Sequence, residues 1–292
     1  MSAITRVGVV AKSRLQVAAP HLSDVEKWLT DHGVETVFET ATAALMPARA
    51  SRRVADKPSL VNEVGLVLVL GGDGTLLSMA DCIGRAGLKV PILGVNFGSL
   101  GFLTEVTLPE LYPALEAALA GRAHIEERLT LQAAITRPSG AASSEIAVND
   151  VVINKGARSR LIDLSIRVGD GLVTTVRADG LIVATPTGST AYNLAAGGPI
   201  VQPNVDAIVL TPICSHTLTN RPIVLPASHR IEVTLRGGDQ DVMLTVDGQV
   251  GVGLREDDVV QVVKAAAHIR LVRFPQKDFF SVLRTKLKWG ER

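Results

Sequence analysis

The residues whose types and spacing suit chemistry fall in three stretches. The first is GLVLVLGGDGTLLSMA, residues 65–80, where an apolar run ends in a glycine-rich corner and a helical pattern begins at once. Such a corner offers backbone N–H groups and the positive end of a helix to an anion, a common way to hold phosphate. Asp73 puts a negative charge into that corner, between Gly72 and Gly74. Two roles fit it: a turn or helix-capping residue, or a base or magnesium-organising carboxylate beside a phosphoryl group in transfer. A free hydroxyl is a poor nucleophile near neutral pH, and a positioned carboxylate can take its proton as the bond to phosphorus forms. An anion among phosphates is tolerable where Mg²⁺ neutralises the site.

The second stretch is VNDVVINKG, residues 148–156. Asn149 and Asp150 sit in strand-like surroundings, where a period of two turns one of them inward. Such a pair can hold ribose hydroxyls or base edges, or can be a polar pair at a sheet edge. The third stretch is VRADGLIVATPTGSTAYNLAAGGPI, residues 176–200. Small hydroxyl residues, glycines and prolines crowd there without charge, and TAYNLAAGG has the makings of a short helix. That composition suits close backbone approach to a ligand. Weaker candidates are His216, with no acid paired to it in sequence and therefore read as structural, and VDGQV (246–250), read as a hairpin turn. The SRR cluster at 51–53 and the charges of the tail read as solvated faces.

Several phosphate signatures are missing. There is no G-x-x-x-x-G-K-[ST], and Leu77 stands where a G-x-G-x-x-G fingerprint needs its last glycine. A P-loop enzyme and an ordinary Rossmann dehydrogenase are both disfavoured, and the absence of H-R-D and D-F-G excludes a protein kinase.

These stretches need elements to position them, and the chain is long enough for two domains, with 292 residues and 47% hydrophobic content. Aromatics are only 3%, so the core must be aliphatic. Thirty basic side chains against 29 acidic ones leave +1, which argues against a general binder of nucleic acid or membrane surface. Cys82 and Cys214 lie far apart with no metal-ligand spacing, which reads as two reduced core thiols in a cytoplasmic protein. No signal peptide or membrane-length apolar run is found.

The first third alternates strand and helix: RVGVVA (6–11), a helix opened by a capping box at Ser23–Glu26 and stopped by Gly33, VETVF (34–38), strand 66–70, helix 75–86 and VPILGV (90–95). Residues 40–62 read as a loop. A second capping box, Thr107 to Glu110, opens a helix that ends at Gly121. Continuous apolar strands between helices imply a parallel sheet covered on both faces, a Rossmann-like α/β domain. After about residue 123 short alternating β-branched runs take over, which reads as an antiparallel β domain. The tail at 278–289 returns to helical spacing and is expected to pack back on the first domain. The expected domains are 1–122, completed by 275–292, and a β-rich domain at 123–274.

In this order the motifs resemble the NAD kinase family: GGDGT (71–75), NFGSLGFLT (96–104), NDVVI (149–153), DGLIVATPTGSTAYNLAAGGPIV (179–201), HTLTNRPIVLP (216–226) and DGQ (247–249). The GGDG corner alone is shared with diacylglycerol kinase-like and phosphofructokinase-like enzymes, whereas the block at 179–201 is far more specific. The resemblance implies transfer of the terminal phosphate of ATP to the 2′-hydroxyl of the adenosine ribose of NAD, giving NADP. By the same resemblance Asp73 is the proton acceptor, and Gly71, Gly72, Gly74 and Thr75 hold the phosphate donor. Asp73, Gly74, Asn149, Asp150, Arg160, Arg177, Asp179, Thr190, Ala191, Tyr192, Asn193, Leu194, Ala195 and Gln249 are then the dinucleotide contacts. It further implies Mg²⁺ or another divalent cation with no dedicated protein cage, a homodimer or homotetramer, and, from Arg177 two residues before Asp179-Gly180, a preference for NAD over NADH. The sequence does not decide between ATP and polyphosphate as donor.

Overall fold

The computed structural model describes residues 4–12, 18–98, 100–137, 140, 142–156, 160–237, 241–273 and 278–290. It divides into two compact units, Met1–Glu127 with Ile269–Arg292, and Arg128–His268. The expected borders at 122/123 and 274/275 compare with observed ones at 127/128 and 268/269.

In the first unit the chain runs β1 (Arg6–Ala11), α1 (Ala19–Asp31), β2 (Glu35–Glu39), α2 (Thr40–Ala43), β3 (Arg53–Ala55), α3 (Lys57–Glu63), β4 (Leu66–Leu70), α4 (Asp73–Arg85), β5 (Ile92–Asn96), β6 (Val106–Thr107) and α5 (Leu111–Leu119). The sheet is parallel in the order β3-β2-β1-β4-β5, with β6 on the far side of β5. β4 and β5 are buried along their whole length, because helices cover both faces. Val7, Val9, Leu22, Val25, Leu29, Leu66, Leu68 and Leu93 form one aliphatic core.

The second unit holds β7 (His124–Thr136, entering from the first), β8 (Ala142–Ala147), β9 (Asp150–Lys155), β10 (Ile162–Val168), β11 (Gly171–Ala178), β12 (Gly180–Ala184), α6 (Tyr192–Ala195), β13 (Ala207–Ile213), β14 (Ile223–Pro226), β15 (Ile231–Arg236), β16 (Val242–Val246), β17 (Val250–Leu254) and most of β18 (Val259–Arg273). One layer is antiparallel in the order β14-β13-β12-β9-β16-β17, and the other contains β11-β10-β15-β18. Alternate residues of both layers meet in a single core, from Ile162 and Leu164 to Leu244 and Val262. β12 is buried on both faces: Leu181 and Val183 enter that core, while Ile182 and Ala184 join a second cluster with Val201 and Val209. α7 (Phe279–Leu287) belongs to the first unit, burying Val282 and Leu283 and setting Lys286 near the Phe102 ring.

Four expectations fail. The box at Ser23–Glu26 does not cap a helix: α1 already begins at Ala19, with proline in its first turn, and Ser23 Oγ donates back to the Ala19 carbonyl. Residues 40–62 are not a loop, since Glu39 caps α2, β3 joins the sheet edge, and Asp56 caps α3 by accepting the Ser59 N–H. Arg52 is not a solvated charge. Its side chain is 7% exposed, bonds Glu26 through two nitrogens and lies over the Phe38 ring. Cys214 is exposed, at φ 47°, rather than in the core, and Cys82 is only half-buried; neither is in a disulfide. The Thr107–Glu110 box is present and closes a short 3₁₀ turn ahead of α5.

Candidate active site

In the first unit, β4 delivers the chain to Gly71, and Gly72 caps α4 in an extended conformation, so Asp73 occupies the first helical position. An acidic residue there complements the helix dipole. The carboxylate also anchors a loop. Its Oδ1 accepts from the N–H groups of Leu103 (3.2 Å) and Thr104 (2.9 Å) and from the Thr104 hydroxyl (2.8 Å), and its Oδ2 accepts from the Phe102 N–H (2.9 Å). Gly101 makes the approach feasible, because a Cβ there would collide with the Asp73 carboxylate and the Thr104 hydroxyl. Asn96 completes the loop, donating to Thr104 Oγ1 at 3.1 Å and accepting the Gly98 N–H at 2.6 Å.

Beside the corner lies a cavity of about 380 Å³, lined by Ala11, Lys12, Glu39, Ala41, Lys57, Gly72, Gly74, Thr75 and Ser78. A Cβ on Gly72 or Gly74 would meet nothing within 4 Å, so these glycines keep that space open. Gly71 serves a different need, since a Cβ there would stand 3.0 Å from Thr75 Oγ1 and 3.2 Å from Lys12 Cβ. Lys57 Nζ donates to Ser78 Oγ at 2.5 Å. Glu39 accepts both the N–H and the hydroxyl of Thr42 at 2.8 Å. Sequence reasoning missed Lys12, Lys57 and Ser78. The one signal available was Asp56-Lys57-Pro58, a cap followed by proline, which puts Lys57 at the start of a helix.

In the second unit polar bonds tie Asn149, Asp150 and the segment that carries Asn193 together, while Arg160, Arg177 and Gln249 stay on the surface. Asp150, the first residue of β9, is the inward member of its pair at 4% exposure, and Asn149 is half-buried. Burial, and next the charge of Asp247, push the Asp150 carboxyl up to about 7. Asp247 sits in the β16–β17 hairpin at φ 50°, followed by Gly248 at φ 66°. Its carboxylate accepts the N–H groups of Val148 (2.9 Å), Asn149 (2.7 Å) and Asp150 (3.1 Å), and its own N–H donates to the Asp150 carbonyl at 3.0 Å. The hairpin reading of VDGQV therefore holds, with a second role for its aspartate that the dipeptide alone does not signal.

The block after β12 is tied to the same place. Thr185 Oγ donates to the Val148 carbonyl and accepts the Gly188 N–H, while the Thr185 N–H donates to the Asn149 carbonyl. Gly188 lies so close to the Asn149 backbone that a Cβ would clash. Asn193 is wholly buried; its amide donates to the Ser189 and Pro199 carbonyls and accepts from the Thr211 hydroxyl. Its neighbours differ: Tyr192 is exposed, as is Ala195, while Thr190, Ala191 and Leu194 are half-buried. Asp179 pairs with Lys155 at 3.5 Å. Arg177, Arg160 and Gln249 are exposed, and the Arg177 carbonyl accepts the His216 N–H. His216 is itself exposed. Among the described residues no three carboxylate, histidine or cysteine side chains gather as a metal site.

The profile of the ATP-NAD kinase N-terminal domain matches residues 7–123, and that of the ATP-NAD kinase C-terminal domain matches residues 148–274. The chain is 47% identical over 287 residues to the NAD kinase of Syntrophotalea carbinolica, covering 98% of this chain and 99% of that one. It belongs to the NAD kinase family. The NAD kinase of Geobacter sulfurreducens is 50% identical over 92% of this chain and 93% of its own. Among solved structures, yeast NADH kinase complexed with NADH superposes with a TM-score of 0.91 at 27% identity, over 100% of this chain and 90% of that one. An NAD kinase from Archaeoglobus fulgidus in complex with ATP shares the fold at a TM-score of 0.77 and 24% identity, over 96% of this chain and 99% of that one. The α/β domain with a parallel sheet and the antiparallel β domain are thus the two-domain architecture of NAD kinases.

Proposed function

We propose that this chain phosphorylates NAD with ATP, placing the terminal phosphate on the 2′-hydroxyl of the adenosine ribose to give NADP. The observation that carries the reading is the GGDG corner, open on a lysine-bearing cavity, in a chain of the NAD kinase family. The first unit supplies the donor's phosphates with the glycine corner and the N-terminus of α4. Gly72, Gly74 and Thr75 line the cavity directly, and Gly71 lets the chain turn closely past Lys12.

Asp73 is the proton acceptor in this reading. Its Oδ1 is taken up by three donors of the 103–104 segment, whereas Oδ2 receives one, so Oδ2 is the oxygen assigned to the incoming proton. The anchoring also serves catalysis, since a base held in place loses no time to rotamer search. The donor is taken as its magnesium chelate, the metal arriving as part of the substrate.

The second unit supplies the dinucleotide site. Asn149 and Asp150, set by Asp247, provide polar groups for ribose or base, and Asp179 and the run Thr190 to Ala195 complete that unit's contacts. Within that run Tyr192 offers an exposed ring, while the buried Asn193 amide braces the turn on which the others stand. Arg160, Arg177 and Gln249 are surface groups suited to the outer parts of a dinucleotide. Arg177 is assigned the preference for NAD over NADH, because a cation near the nicotinamide end distinguishes the oxidised from the reduced ring.

The protein is further read as a cytoplasmic homodimer or homotetramer. Exposed Leu172, Leu218 and Val224 of the second unit are apolar surface that self-association can cover. No described helix is long and apolar enough to cross a membrane. The deciding assay incubates the protein with MgATP and NAD and reads NADP with an NADP-specific dehydrogenase. NADP formed in step with ADP is the expected result; ATP consumed only with a lipid or sugar alcohol would overturn the reading, as would dinucleotide binding without turnover.

A further inference from the structure

Thr104 and Glu105 are neighbours in the chain with separate tasks. The Thr104 N–H and hydroxyl both donate to Asp73 Oδ1. Glu105 is 1% exposed, and its Oε2 stands 2.8 Å from Arg273 Nη2. Arg273, the last residue of β18, is itself only 8% exposed, and through Nε it also pairs with Glu126 of β7 at 3.0 Å. One guanidinium therefore joins a buried carboxylate beside the Asp73 loop to a carboxylate on β7. All three residues belong to the first unit.

The surroundings hold these elements together without help from charge. β18 pairs with β5 through Leu271 and Ile92, and β6, which begins directly after Glu105, pairs with β5 through Val106 and Val95. Val106 and Val272 enter the same aliphatic core. Arg270 and Glu127 make a further, more exposed pair between β18 and β7. A buried ion pair is a poor source of stability, because desolvation offsets much of the attraction and apolar side chains of similar size often serve as well. What the planar guanidinium adds is direction, since its N–H groups fit only a narrow range of carboxylate positions. Directly after Thr104, such a fixed point limits where the 102–104 donors can stand.

We propose that Glu105 and Arg273 are positioning residues for phosphoryl transfer: their buried pair fixes the 102–104 segment, which in turn holds the Asp73 carboxylate in the orientation that accepts the proton. The proposal rests on the reading of Asp73 as the base. Neither residue is assigned a contact with substrate, so the effect falls on kcat. Glu105→Gln keeps the size but removes the charge, and it lowers kcat roughly tenfold or more, the scale of a misplaced catalytic group. KM for NAD and KM for ATP stay within about twofold. Because the pair acts through Asp73, the same substitution made on Asp73→Asn costs under about twofold more, where independent losses would multiply. Glu105→Met with Arg273→Met removes both charges at once. That double variant melts higher than Arg273→Met alone, which strands Glu105, yet it keeps the low kcat.

Steady-state kinetics of the intact protein, Asp73→Asn, Glu105→Gln and their combination, run below each melting temperature, decide it. An unchanged kcat in Glu105→Gln overturns the proposal, as do losses that multiply in the combination. A kcat equal to that of the intact protein in the double methionine variant overturns it too, since the pair would then serve stability alone. Near-normal turnover in Asp73→Asn is a different failure: it removes the base reading itself, and the proposal with it.

Discussion

Two carboxylates in this molecule are held by backbone N–H groups, and they differ in what they leave free. Asp73 takes four donors from the 102–104 segment while standing at the N-terminus of α4, beside a cavity with two ammonium groups. Asp247 takes three N–H groups from residues 148–150, and its charge adds to the burial that raises the carboxyl of Asp150. The first arrangement is open and sets two ammonium groups and the Glu39 carboxylate around one cavity. The second is built of neutral dipoles and hydroxyls, with a carboxyl that burial drives toward its neutral form. In the proposed reading a polyanionic donor suits the first surroundings, and a dinucleotide read by hydrogen bonds suits the second.

The strongest way to break the contrast is at Asp73. Asp73→Asn keeps the shape, removes the proposed base and lets only one oxygen serve the loop. Turnover should fall at least ~100-fold with KM for NAD within a few-fold. Thr104→Val removes one of the four donors without touching the carboxylate, so an equal loss there would reduce Asp73 to a loop anchor. Gly101→Ala should resemble the Asp73 variant, because the new methyl displaces the same segment.

At the second carboxylate the effect should move to binding. Asp247→Ala strands three N–H groups, two of them on buried residues. A loss of stability of about 2 kcal/mol or more and a rise in KM for NAD of roughly tenfold are expected, with KM for ATP little changed. Thermal melts and steady-state kinetics check both; a change in KM for ATP alone would contradict the division of labour.

Asp150 sharpens the comparison through pH. Its carboxyl titrates near 7 in the fold and near about 4 in the unfolded chain. Between these values the fold keeps a proton that the unfolded chain has released, so this group's contribution is full below about pH 4 and is lost as pH rises to about 7. Asp150→Asn cannot ionise. Its melting temperature, measured against the parent, should therefore gain more at pH 8 than at pH 5, and a gain independent of pH would show that burial is not what governs this group. The smallest effect belongs to Arg177, exposed on β11. Arg177→Gly should lower the ratio of NAD to NADH turnover several-fold; an unchanged ratio, or equal use of both by the parent, removes Arg177 from the selectivity.

Most of the elements were legible because their periods are strong. β4 is continuously apolar since helices cover both its faces, and β10 alternates since only one face meets the core. The segment 40–62 was not legible: α2, β3 and α3 are four, three and seven residues long, too short for a period to emerge. Arg52 read as surface because burial of a charge depends on a partner, here Glu26, 26 positions away. The Ser23–Glu26 spacing fitted a cap, yet Pro20 and the Leu22, Val25, Leu29 stripe had already committed the chain to helix.

By itself the sequence determined the strand–corner–helix geometry of GGDG, the Asn149–Asp150 pair and the crowded block at 179–201, since these depend on residue type and short spacing. Only the tertiary structure decided what each carboxylate touches. Loop 101–104 reaches Asp73 across about 30 positions, and the hairpin at 247 reaches residues 148–150 across nearly a hundred. Lys57 and Ser78 meet over 21. Contacts at such separations follow from how sheets and helices stack, which local propensity does not encode.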